Sequence, residues 1–254
     1  MSIARTTRAA PTGAASNTLA SASFLAPSGQ LCLVVGFQGG STPGAAPLGI
    51  ATSIAGITWT KVIGLETTQG GRSICIAMWR TIGNGNSGTV TVSNAALGSQ
   101  TTDLRVYSFA GATQLDTSID GVGAVVGSLG ANAVAPFNFD LDPGAQSPWG
   151  NSHNMGFLIG LEATEVIWDI RNFWTEVEQW DSGVAVPASL QVIEQLGITS
   201  GQIDGDYLYK FMVSSGTTLG SAFIGASIRD ASQQIKSVPR VLASRGGRIM
   251  ANRF

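Results

Sequence analysis

The chain has 254 residues, enough for one large β domain or two smaller ones around a sizeable core. It is 44% apolar and only 12% charged, with 33 glycines, a mixture that favours many short strands joined by tight turns. The formal charge of −2 conceals a division: residues 231–254 hold Lys236, Arg240, Arg245, Arg248 and Arg253 with no acid, Arg5 and Arg8 lie near the other end, and the seven bases between face all 16 acids, a balance of −9.

No stretch is apolar for long enough to cross a bilayer, and the opening MSIARTTRAAPTGAASN lacks the apolar centre of a secretion signal. No membrane partner is expected, and synthesis in a cytosol is.

Residues 1–16 read as an N-terminal arm and 17–230 as an antiparallel β-sandwich domain. Strand-like runs follow in order: QLCLVVGF at 30–37, TWTKVIG at 58–64, SICIAMWRTI at 73–82, GTVTVS at 88–93 and DLRVYSF at 103–109. In GTVTVS, Val90 and Val92 oppose Thr89 and Thr91. In DLRVYSF, Leu104 and Val106 oppose Asp103 and Arg105, the pattern of a strand with one wet face. SICIAMW is apolar on both faces, as an interior strand requires. Cys32 and Cys75 fall inside such runs, where a small buried thiol is expected. Between the runs GNGNSG at 83–88 reads as a hairpin turn, since Gly and Asn tolerate positive φ.

A Gly-, Ala- and Pro-rich stretch at 121–152 then reads as a long connection, after which the order of signals repeats. NMGFLIGL at 154–161 matches QLCLVVGF in place, and WTEV at 174–177 matches WTKV at 59–62. SLQVIEQL follows its tryptophan as SICIAMW does, and SAFIGAS stands where RVYSFAG stood. These landmarks suggest related halves at 17–120 and 153–230. Residues 187–197, PASLQVIEQLG, stay open between strand and short helix, because Leu190, Ile193 and Leu196 have helical spacing, with Pro187 before and Gly197 after them. YLYKFMVSS at 207–215 and GSAFIGASI at 220–228 complete an all-β body.

The succession of QLCLVVGF, GITWTKV, AMWRTI, SGTVTVS and RVYSFAGA resembles a family of jelly-roll-like β-sandwich domains of tailed-phage and prophage virion structural proteins: head decorations, spikes, fibres and tail-tip modules. The resemblance spans about residues 17–228. It implies a jelly-roll-like sandwich in which Trp59 closes the core, a virion location, no catalytic site and no cofactor.

Motifs that could carry chemistry are few. GNGNSG satisfies G-x-G-x-x-G, but a strand-like run follows it where a dinucleotide site needs a helix. His153, the only histidine, sits in GNSHNMG and reads as an exposed loop residue. Asp140/Asp142 and Asp204/Asp206 could share a calcium ion or work on a sugar, yet each pair flanks a turn and matches no complete calcium loop. Trp149, Trp168 and Trp180 lie in or beside loops and are the candidate platform for stacking a host surface glycan, against the alternative of core or interface packing.

The basic arm at 231–254 alternates its cations with Val238, Val241, Leu242, Ile249, Met250 and Phe254. Arginine suits bidentate pairing with carboxylates, so Arg240, Arg245, Arg248, Arg253 and Phe254 read as anchors on an acidic, partly apolar neighbour. Nucleic acid is the other partner such an arm fits. The expectation is a non-enzymatic virion component, a homo-oligomer whose terminal arms hold it to other capsid or tail proteins. Head decoration is preferred; a tail or fibre component and a carbohydrate- or receptor-binding module are the alternatives.

Overall fold

A computed structural model describes residues 3–11, 13–44, 46–95, 100–122, 134–135, 152–170, 175–182, 186–198 and 211–230. The described residues form sixteen strands and no helix: β1 (Ala4–Ala9), β2 (Thr18–Ala20), β3 (Phe24–Leu25), β4 (Leu31–Gly40), β5 (Gly49–Thr52), β6 (Thr60–Gln69), β7 (Arg72–Ile82), β8 (Ser87–Gly88), β9 (Val90–Ser93), β10 (Gln100–Ala110), β11 (Ala112–Val122), β12 (Val134–Ala135), β13 (Ser152–Ile170), β14 (Thr175–Ser182), β15 (Ala188–Ile198) and β16 (Phe211–Asp230). All pairings are antiparallel.

A five-stranded and a six-stranded sheet dominate. The first runs β1-β10-β4-β7-β6 and the second β11-β16-β13-β15-β14, with β12 added beside β16. Each is drawn from one contiguous half of the chain, and in each the spatial order is first, fifth, second, fourth, third. The likeness extends to detail: β6 and β14, the two third strands, both carry a break in register at the W-T-x-V motif, between Lys61 and Ile63 and between Glu176 and Glu178. An extra residue at that point bends the strand and sharpens its twist.

The first half is a sandwich in its own right. Its chain passes repeatedly between the five-stranded sheet and two small outer sheets, β2-β9-β5 and β3-β8. Side chains of period two explain why both faces of the sheet are apolar. Cys32, Val34, Cys75, Ala77, Trp79, Leu104 and Val106 face the outer sheets with Val90, Val92 and Ile54. Leu31, Leu33, Val35, Phe37, Ile74, Ile76 and Met78 face the second large sheet and meet Met155, Phe157, Ile159, Leu190, Val192 and Ile224. At about 25 cal/mol per Å², burial of this second set is the main force holding the two sheets face to face.

Several expectations change. Residues 4–9 are not part of a free arm: Thr6 and Thr7 suit a strand, and β1 pairs with β10 at the sheet edge. The halves meet at Gly111, not across 121–152, because β11 belongs to the second sheet; Gly111 alone links β10 to β11, with φ +80. Residues 188–198 are strand, the pairing of both edges of β15 outweighing its helical spacing. GNGNSG is not a hairpin, since β7 and β9 pair with different partners. It carries the chain from one layer to the next, with Gly85 at φ +86 and the Asn84 and Asn86 side chains donating to the Ala55 carbonyl. Trp59 is half-buried against the outer core cluster, its Nε1 without a hydrogen-bond partner. Both cysteines are free and buried, burial pushing the thiols up to about 11 for Cys32 and about 12 for Cys75.

Candidate functional site: a charged junction between the two sheets

The polar face of DLRVYSF is not wet. Asp103, Arg105 and Tyr107 alternate along β10 and point between the large sheets, with relative exposures of 1%, 5% and 0%. Ionic groups so placed need partners, because an unpaired buried charge is strongly destabilising. The partners come from across the interface. Edge strand β14 presents Glu178 and Trp180, again two residues apart and therefore on one face. The Arg105 guanidinium donates from Nη1 to Asp103 Oδ1 at 2.6 Å and from Nε to Glu178 Oε1 at 3.2 Å. It also lies 3.5 Å from the centroid of the Trp180 ring, a cation–π contact, while Trp180 Nε1 donates to Asp103 Oδ2 at 2.9 Å. The Tyr107 hydroxyl donates to Glu178 Oε1 at 2.7 Å.

The network continues towards β1, β13 and β15. Arg5 lies 5.7 Å from the Tyr107 ring centroid and donates from Nε to Glu194 Oε2 at 2.7 Å. His153 Nε2 lies 2.9 Å from the same oxygen, and its ring meets Phe109 edge to face at 5.5 Å. Burial raises the Glu194 carboxyl, but the hydrogen bonds from His153 and Arg5 outweigh it and hold the group at about 2. Ionised Glu194 can only accept, so Nε2 carries the shared proton. The expected exposed loop histidine is thus a buried strand residue, 2% exposed, placed by the Ile228 and Leu196 neighbours of β13. Burial pushes the Asp103 carboxyl above its ordinary value against the pull of Arg105 and Trp180. Burial and Glu178 together push the Tyr107 phenol well above its own, so it stays protonated and donates.

Chemically the arrangement is a set of mutual donors and acceptors tying β1 and β10 of one sheet to β13, β14 and β15 of the other. Among the described residues no grouping of His, Cys, Asp or Glu could hold a metal ion.

Of the candidate residues read from the sequence, Trp180 is the one whose side chain is described. One face of its ring is taken by Arg105, its N–H by Asp103, and Phe37 meets it in a T-shaped contact at 5.8 Å. Trp180 therefore packs between the sheets, with one ring face covered by the Arg105 guanidinium. Trp168 falls on β13 opposite Val213, its side chain outside the described residues. Trp149, both aspartate pairs and the arm with Arg240, Arg245, Arg248, Arg253 and Phe254 also lie outside them. Sequence reading missed Arg5, Asp103, Arg105, Tyr107, Glu178 and Glu194 as a group. The available signal was complementarity: D-x-R-x-Y in one half and E-x-W in the other at matching period. Comparison with protein-family models, curated proteins and solved structures finds no match for this chain.

Proposed function

We propose that this protein is a non-enzymatic structural component of a bacteriophage-like virion, a head-associated decoration held to its neighbours by the basic C-terminal segment. The charge division carries the reading: five cations without an acid at 231–254, interleaved with apolar residues, follow a body at −9. Such a segment fits an acidic, partly apolar surface, and the body of a second copy is one. The resemblance of the strand succession to virion sandwich domains supports it, as does a body whose buried charged groups pair with one another.

The N-terminal segment drops out as an anchor. Arg5 is committed to Glu194, and Arg8 donates to Ser108 Oγ at 2.7 Å. Anchoring falls to the C-terminal cations alone.

The experiment compares the full chain with one ending at Asp230, which keeps every described strand. Each is measured for mass in solution and for binding to particles lacking the protein. The reading expects the shortened chain to stay folded while losing assembly or particle binding. Normal assembly and binding without residues 231–254 would overturn it and send the search to nucleic acid and glycans.

A further inference from the structure

Shared strand order gives the two large sheets equivalent positions, and two contacts between them are reciprocal, as in a local two-fold arrangement. Pairing through the strands makes Val35 equivalent to Phe157, Met78 to Val192, Ile63 to Glu178 and Arg105 to Ile224. Under that relation Gly39 is the counterpart of Leu161, and the Leu161 side chain lies directly over Gly39, as residues beside a two-fold axis must. Away from that point one contact is reciprocated: β10 meets β14, and β16 meets β6. The β14–β15 turn reaches β10, where Val186 N donates to Thr101 Oγ1 at 2.8 Å, and the β6–β7 turn reaches the corresponding point of β16, where Gly70 meets Leu219. One chain thus contains an interface of the self-complementary kind found in two-fold dimers.

The two ends of that interface differ in chemistry. At one, Asp103, Arg105 and Tyr107 of β10 face Glu178 and Trp180 of β14. At the other, the equivalent places hold Ala222, Ile224 and Ala226 of β16 and Ile63 and Leu65 of β6, all within or against the apolar core. We infer that the charged junction is a pairing code: it makes each sheet accept the other kind of sheet, in the same chain or in a second copy, and reject its own kind. Two first sheets brought together would bury Asp103 and Arg105 against Ile63 and Leu65 at both ends. Two second sheets would bury Glu178 against Ala222 and Ile224. The first would leave the Asp103–Arg105 pair without Glu178 and Trp180, and the second would leave Glu178 without its cation; such a cost discriminates among otherwise similar apolar faces. An all-apolar interface would have no such preference. This inference is independent of the virion reading.

The test is a full chain carrying Asp103→Leu, Arg105→Met, Tyr107→Phe, Glu178→Leu and Trp180→Phe, which keeps volume while removing the code. A second variant, Asp103→Asn, Arg105→Gln and Glu178→Gln, removes charge alone. Each is unfolded, refolded over a hundredfold range of concentration, and examined by light scattering behind size exclusion. The parent is expected to return to one species at every concentration. The five-fold variant is expected to melt at or above the parent's temperature yet to refold into several species, with the mispaired fraction growing with concentration; the second variant shifts the same way by less. Refolding of the five-fold variant to the parent's single species overturns the inference. Failure of both variants to fold overturns it too, because the junction would then hold the fold and not select the partner.

Discussion

The charged and apolar ends of the sheet interface are built on the same plan, the fifth strand of one sheet lying across the third strand of the other, and they do different work. The apolar end gains its free energy from area removed from water, a term indifferent to which apolar surface supplies it. The charged end gains little from burying ions whose dehydration offsets their attraction, but it is intolerant of change. The difference teaches that stability and selectivity can be assigned to opposite ends of one interface, provided the backbone plan is shared.

The largest effect should come from breaking the charged end one-sidedly. Arg105→Leu leaves Asp103 buried and Glu178 without its cation, and a loss of about 3–5 kcal/mol is expected in denaturant titration. The equivalent cut at the apolar end, Ile224→Ala, should cost about 2–4 kcal/mol by lost burial and a residual cavity. The two are told apart by salt: the Arg105 variant's deficit should change with ionic strength, the Ile224 variant's should not.

Acid sharpens the contrast next. Glu194 is held at about 2 in the folded state against its ordinary 4.5. A depressed carboxylate stabilises the fold above its unfolded value, so that contribution is complete above pH 4.5 and disappears as pH falls towards 2. Asp103, raised by burial, works in the opposite sense in the acid range. Glu194→Gln should therefore flatten the acid loss of stability by roughly 2 kcal/mol, read from denaturation midpoints between pH 6 and about 2.5. Ile224→Ala should keep the parent's pH slope. The smallest effect belongs to the exposed pair outside both ends, Lys61 and Glu66, 3.0 Å apart on β6. Lys61→Ala should move stability by no more than about 0.5 kcal/mol in the same titrations.

Much of the fold was legible because alternation reports which residues share a face. SICIAMW announced an interior strand, and WTKV and WTEV marked corresponding places in the two halves, where the structure puts a break in register in each. The division at Gly111 was not legible, since a single glycine between two strand-like runs looks like an ordinary turn and pairing partners leave no mark in local pattern. The charged junction was hidden for a different reason. Alternation tells that Asp103 and Arg105 point away from Leu104 and Val106; it does not tell whether that side meets water or another sheet. Only the matching pattern at Glu178 and Trp180, over seventy residues away, supplies the answer. His153 was misplaced for the same cause: its polar neighbours Asn151, Ser152 and Asn154 resemble a loop, while its position opposite Leu196 and Ile228 fixes it in a strand.

Because Gly111 is all that separates the two sheets in sequence, the order of synthesis becomes an order of assembly. Every strand of the first sandwich has left the ribosome once Ala110 has, so its pairings, the widest joining Ala4 to Ala110, can form with no residue of the second half present. During that interval the face awaiting its partner carries Asp103 and Arg105 among its leucines and valines. Charges at the rim of a temporarily bare apolar face act as gatekeepers against sticking to neighbouring nascent chains, so the residues that select the partner also protect the vacancy until the partner is made.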